Sequence, residues 1–247
     1  MIFVKPKVHL ICRPQLDWSG INAVLKEDFD NANWARTANN DGELLVEFMG
    51  RMCYGSFGEN QGRHNSTDYL LNILAQGHGS VLEHASWSFI VTRAGRGYTH
   101  QAVRHRAGWA FSQESTHFIQ YKDLRLCFPG IPEAHWPEAV EAATKAFDTY
   151  KAIFSNLAPL PKKTRLGIAR AVLPNALESK LGFTANLRAL RHFCEMRGGP
   201  DNVVEIRLVA EQIVTIMQQE APIVFSDFTI TTADDGYPAV SSKWVKV

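Results

Sequence analysis

Gln101, Arg104, His105 and Arg106 fall within a span of six residues, and a polar run of Ser112, Gln113, Glu114, Ser115, Thr116 and His117 follows close behind. Arginine's planar fork stays charged near neutral pH and can bond two oxygens of a phosphate or carboxylate at once. Two arginines flanking a histidine therefore suggest an anion site. The same triplet also fits a solvated basic helix end, where cations complement the helix dipole. Further basic residues follow at Arg165 and Arg170, and then at Arg188, Arg191, His192 and Arg197. The four cysteines, Cys12, Cys53, Cys127 and Cys194, contain no CxxC pair, which argues against zinc and against a disulfide framework. Cys194 has basic neighbours in Arg191 and His192, but a free cysteine more often behaves as a small buried hydrophobe. His100 and His105 are five apart, and His78 and His84 make no HExxH pattern, so no metal is expected.

A strand over 85–92 leads into this region, with Trp87, Phe89 and Val91 alternating against smaller or polar residues. After Gly95 and Gly97 a helix is expected over 98–106. On it Gln101 shares one face with Arg104 and with His105 while Arg106 turns away, so one helix end would address ligands on two sides. Upstream, a strand over 7–11 precedes a helix over 19–26. Asp41 caps the next helix, to about residue 52, on a stripe of Leu44, Leu45, Phe48 and Met52. A loop over 55–65 precedes a helix capped by Ser66, which buries Tyr69, Leu70, Ile73 and Leu74 and delivers His78 and Ser80. Downstream, 118–128 reads as extended and 129–137 as a loop. Pro137 then opens a long amphipathic helix with Val140, Ala143, Phe147, Tyr150, Phe154 and Leu157 on one stripe. A helix over 162–173 carries Arg165 and Arg170, a short strand over 180–185 follows, and a helix over 186–197 ends at RGGP. Asn202 and Glu205 have capping-box spacing for a last helix whose inward residues are Val203, Ile206, Val209, Ile213 and Ile216.

The 247 residues can bury a large core, and no linker, repeat or low-complexity segment divides them, so one domain over 1–247 is expected. With 26 basic and 25 acidic side chains the formal charge is +1, which gives no sign of a nucleic-acid or membrane surface. Any anion site must be local. No apolar run approaches a membrane span, the first residues do not read as a signal peptide, and a cytoplasmic protein is expected. GRGYTH lacks the third glycine of a dinucleotide fingerprint, and neither a GxxxxGK[ST] loop nor a GxSxG elbow is present.

The blocks GHGSVLEHASWSF, HQAVRHR, FSQES, ARAVLP and TANLRALRHFCEMR, in this order and spread over roughly 77–210, resemble those of the flavin-dependent thymidylate synthases, with RMCYGS a weaker upstream match. The resemblance implies an α+β fold, a central, mainly antiparallel sheet flanked by long helices. It implies a homotetramer with active sites shared between subunits, noncovalent FAD, and NADPH and methylenetetrahydrofolate as co-substrates. The implied reaction is methylation of dUMP at C5 to dTMP. No protein cysteine attacks the pyrimidine in that family, and the flavin supplies the difficult hydride chemistry.

By position, Ser80, Arg104, His105 and Arg106 match family residues that hold FAD, with Arg104 also reaching the nucleotide, and Asn186, Arg188 and His192 match further flavin positions. Gln101, Arg170 and Arg197 match nucleotide contacts. Arg197 is the catalytic candidate, because a fixed cation beside the uracil edge stabilises negative charge on the ring without itself titrating. The run Gln113, Glu114, Ser115, Thr116 and His117 corresponds to the family's nucleotide-binding loop, with Gln113 also toward the flavin, but it departs from the family pattern. The family spaces RHR and serine by seven residues; here Glu114 holds the serine's place and Ser115 comes one later, which requires an extra residue within AGWA. His117 stands where the family usually has an arginine, a change that weakens a phosphate grip and makes it pH-dependent. Two alternatives follow: methylation of a related nucleotide such as UMP, and a flavin- or nucleotide-binding module without turnover.

Overall fold

A computed structural model describes residues 1–29, 33–58 and 61–245. The strands are β1 (Ile2–Val4), β2 (Lys7–Cys12), β3 (Ser86–Gly95), β4 (Trp109–Gln113), β5 (Arg125–Cys127), β6 (Glu178–Asn186), β7 (Thr229–Thr232) and β8 (Pro238–Ser241). The helices are α1 (Trp18–Asp28), α2 (Asp41–Tyr54), α3 (Ser66–Ala75), α4 (Arg96–Ala102), α5 (Trp136–Asn156), α6 (Lys162–Ala169), α7 (Leu187–Gly198) and α8 (Val204–Glu220).

The central sheet has the order β2-β3-β6-β4 and is antiparallel throughout, in agreement with the expected α+β class. β3 sends Trp87, Phe89 and Val91 into the core as the alternation predicts, and Phe89 stacks on Phe183 of β6. α8 covers this layer with Ile206, Val209 and Ile213 fully buried, and α7 adds Leu190, Phe193 and Cys194. A second cluster joins Phe147 and Tyr150 of α5 to Leu126 of β5 and Leu166 of α6. β1 pairs with β5 in parallel, and the β7–β8 hairpin is clasped by two buried arginines. Arg191 donates to both carboxylate oxygens of Asp227, and Arg207 to both of Asp235.

Several local expectations are corrected. Helix caps fall one residue early. Asn40 Oδ1 accepts the Glu43 amide while its Nδ2 reaches back to Glu43 Oε2, and Asn65 does the same work for α3. Asp41 instead accepts from Leu16, and Ser66 Oγ accepts the amides of Thr37 and Ala38. Met52 is exposed, because α2 turns Glu43, Glu47 and Arg51 inward. Glu47 pairs with Arg51, whose guanidinium lies over the Tyr69 ring, and Glu43 accepts from the amides of Ile223 and Val224. Buried charge survives only where it is paired and hydrogen-bonded in this way, and a hydrophobic stripe cannot register it.

The stretch 118–128 is extended only over Arg125–Cys127, and the helix expected over 162–173 tightens into a 3₁₀ turn at Arg170–Val172 ahead of Pro174. The Asn202–Glu205 capping box does not form. Val203 occupies the cap position and is exposed, Asn202 donates to carbonyls of Met196 and Gly199, and Glu205 reaches away to Gly95. Residues 59 and 60 of the expected loop over 55–65 lie outside the described residues.

Candidate active site

The helix expected over 98–106 ends at Ala102, so Arg104, His105 and Arg106 do not share helical faces with Gln101. They stand in the turn between α4 and β4, pinned by His105 N–H to the Ala102 carbonyl at 3.1 Å and Arg104 N–H to that of Gln101 at 3.3 Å. Arg104 and Arg106 are exposed, and Arg104 Nε donates to the His100 carbonyl at 3.2 Å. Gly108, with φ of 74°, lets the chain turn into β4; a side chain there would strike Asn186, which caps α7 by accepting the Ala189 amide.

From the other side, α7 delivers Arg197. Its Nε donates to His105 Nε2 at 3.0 Å, and since a guanidinium only donates, the His105 proton resides on Nδ1. Burial first, then the Arg197 charge, then His192 hold His105 down at about 4, so the imidazole is neutral near pH 7. Around it lie the rings of Phe193 at 5.1 Å, His192 at 5.9 Å and Trp109 at 6.0 Å, and Trp109 stacks on Phe111 along β4. The sequence reading assigned no element to WAF and so did not reach this aromatic wall. The period-two spacing of Trp109 and Phe111 is the signal of a strand face. Pairing of β4 with β6 is unbroken from Trp109 to Gln113, which leaves an extra residue in AGWA room only in the Ala107–Gly108 turn.

Asn186, Arg188 and His192 line a cavity of about 360 Å³ together with Glu83 and Gly108, and Ser80 and Arg188 line a second of about 350 Å³. The two share Arg188, whose Nη1 donates to Glu83 Oε1 at 2.6 Å in an exposed pair. Four of the expected flavin residues thus border adjoining cavities. The polar run is split. Gln113 Nε2 donates to Thr99 Oγ1 at 2.8 Å, Glu114 pairs with Lys180 at 3.2 Å, and Ser115 Oγ accepts the His117 amide at 3.2 Å. Thr116 is buried and accepts from Arg170 Nη1 at 3.4 Å, and His117 lies against Gly167 of α6. No hydrogen bond among the described residues links this Thr116–Arg170 group to the His105–Arg197 group. Gln101 and Arg106 likewise make no side-chain hydrogen bond among the described residues.

Among the described residues Arg104, Arg106, Arg170 and Arg197 have no carboxylate within 4.0 Å, a state they share with Arg36, Arg63, Arg93, Arg96 and Arg165. Arg197, free of a carboxylate and held against His105 beside the Trp109 and Phe193 rings, and Arg104 and Arg106 in the same turn as His105 suit a planar, anionic group, and the phosphates and ring system of a flavin dinucleotide have that character. Burial raises the thiols of Cys127 and Cys194, which keeps both from acting as nucleophiles near neutral pH. No group of three or more metal-ligating side chains occurs among the described residues, and no described helix is long and apolar enough to cross a membrane.

Comparison with known proteins places the sequence. The profile of the thymidylate synthase complementing protein family matches residues 36–223. The flavin-dependent thymidylate synthase of Mycobacterium tuberculosis H37Rv is 37% identical over 238 residues, covering 90% of this chain and 94% of that protein. Its counterpart in Mycobacteroides abscessus is 36% identical over 244 residues, covering 93% and 90%. Among solved structures, the UMP/dUMP methylase PolB from Streptomyces cacaoi, bound with 5-Br dUMP, superposes with a TM-score of 0.66 at 21% identity, over 92% of this chain and 96% of that one. At that identity the likeness speaks to the fold.

Proposed function

The chain belongs to the thymidylate synthase complementing protein family, and on that premise we propose that it methylates dUMP at C5 to give dTMP. The flavin-dependent synthases at 37% identity support this reading, and the observation that carries it is the Arg197–His105 contact at 3.0 Å beside guanidinium groups free of carboxylate partners. Noncovalent FAD is the cofactor in this proposal, with NADPH and methylenetetrahydrofolate as co-substrates, the protein being cytoplasmic. When bound, the flavin supplies the hydride chemistry that reduces the transferred carbon.

The chain's own residues bind and orient. Arg197 spends its Nε on His105, which leaves both terminal nitrogens to face the uracil edge and stabilise negative charge developing on the ring. His105 stays neutral, so the contact that orients Arg197 persists across the working pH range and adds no competing cation. Ser80, Asn186, Arg188 and His192 border the proposed flavin cavities, with Arg104 and Arg106 reaching the same cofactor. Arg170, Thr116 and Gln101 hold the nucleotide together with the Gln113–His117 run. A homotetramer in which one subunit's loop completes another's site belongs to the same proposal. The exposed Phe118, Ile119 and Ile168 near that loop fit such a contact. One domain over 1–247 remains our reading, since the family match crosses most elements of the central sheet.

UMP is the second candidate substrate, favoured by the altered loop, where His117 seated on Gly167 replaces the usual arginine, and by the dual substrates named for the structural neighbour. Incubation with dUMP or UMP, FAD, NADPH and methylenetetrahydrofolate followed by chromatography distinguishes them. The proposal predicts dTMP. Flavin binding with neither NADPH oxidation nor a methylated product would establish the binding-module alternative.

A further inference from the structure

Glu205 is a partly buried carboxylate with no role in the proposed chemistry and, among the described residues, no cation within 4.0 Å. It projects from the first turn of α8 onto the start of α4, where it accepts the backbone N–H of Gly95. The next two amides, of Arg96 and Gly97, donate to the Asn175 carbonyl at 2.8 and 3.3 Å. Three successive N–H groups are thus divided between one carboxylate and one carbonyl. Such a run of amides after a glycine-rich strand end is a nest for an anion, and the chain's own carboxylate fills it. Gly95 is the one that gives clearance: a Cβ there would lie 3.0 Å from the Asn175 carbonyl and 3.1 Å from Glu205 Oε1, while one at residue 97 would meet Glu205 Oε2 at an ordinary 3.5 Å.

From this clasp to the basic turn the path is rigid backbone. Tyr98 is buried in the main core, Thr99 is bonded to Gln113 of β4, and Val103, Arg104 and His105 each donate back to α4 carbonyls at 3.1 to 3.3 Å. We propose that Glu205 is a positioning residue: by fixing the first turn of α4 it orients the Arg104–His105–Arg106 turn so that His105 meets Arg197. The inference rests on the functional reading above only in that this turn serves the site.

The test is Glu205→Gln in the flavin-loaded protein carrying ¹³C-labelled histidine, because the amide removes the charge that faces the Gly95 N–H and replaces one acceptor oxygen with a donor. The His105 titration midpoint is expected to rise by roughly half a pH unit or more as the Arg197 contact loosens. Methyl transfer is expected to fall about ten-fold at temperatures where the variant remains folded. Gly95→Ala, which crowds the same carboxylate, should reproduce both changes, and Gly97→Ala should produce neither. Phe147→Leu, in the second core cluster, should lower the melting temperature and leave the midpoint in place. An unchanged midpoint in both Glu205→Gln and Gly95→Ala overturns the proposal; should the first fail to fold, the second decides alone. The His105 titration is read without turnover, so failure of the functional reading cannot be mistaken for failure of this one.

Discussion

Arg197→Gln retains an N–H donor but removes the charge that faces His105. Burial, Arg197 and His192, in that order, carry His105 from 6.5 down to about 4. As the second of three causes, Arg197 accounts for less than half of that drop. Its loss should therefore bring the midpoint up by roughly one pH unit, equivalent to about 1.4 kcal/mol between protonation states. Selective ¹³C NMR of the His105 ring measures the midpoint directly. Turnover should fall by about a hundred-fold, the scale of losing one preorganised electrostatic contact. A midpoint still near 4 with turnover intact would falsify the reasoning. A shifted midpoint with intact turnover would keep the contact and remove Arg197 from the chemistry.

The same group sets a stability trend. His105 has a lower midpoint folded than unfolded, so between 6.5 and about 4 the unfolded chain binds more protons and stability rises with pH. The contribution is complete above 6.5 and is lost as pH falls toward about 4. Discounted for solvent screening of a half-buried ring, it is roughly 1–2 kcal/mol, and urea titrations at pH 7 and pH 4.5 should show Arg197→Gln losing less than the parent.

Asp227→Asn leaves Arg191 buried without its counter-charge and should cost about 3–5 kcal/mol in urea denaturation, far more than Arg13→Gln at the exposed Glu220 pair. Glu83→Gln frees Arg188 from its exposed ion pair, and FAD affinity measured by fluorescence quenching should improve about two- to five-fold, the scale of a surface pair. His117→Arg should tighten nucleotide binding, measured by isothermal titration calorimetry, about three- to ten-fold, the scale of a helix-surface or exposed charge contact. An aromatic disulfide reagent should label Cys12 and Cys53 quickly in the native protein and Cys127 and Cys194 only on unfolding, since the first two are exposed and the others buried.

Period-two and 3.6-residue patterns carried β3, α5 and α8, because those elements pack one apolar face on a core and write that face into the sequence. α4 was overextended because RHR reads as a good helix end, while the turn is set by Gly108 and by Asn186, almost eighty residues away by sequence number. Buried charges were invisible for a related reason. Glu43, Glu47, Arg191 and Arg207 find their partners only through tertiary approach, and hydropathy scores each as surface. Glu205 shows the same limit in a local motif: its spacing from Asn202 suggested a cap on its own helix, whereas its carboxylate caps another. In the site, residue types marked Arg104, His105 and Arg197 as candidates without their geometry. The His105–Arg197 contact joins residues 92 apart and depends on where α7 lands against the turn.

Release of tritium from dUMP labelled at C5, with FAD, NADPH and methylenetetrahydrofolate present, tests the central claim most directly, because the C5 hydrogen must leave for a methyl group to be installed there. The proposal predicts release that depends on the folate donor and collapses in Arg197→Gln. Absence of release from protein that binds FAD and oxidises NADPH would contradict it.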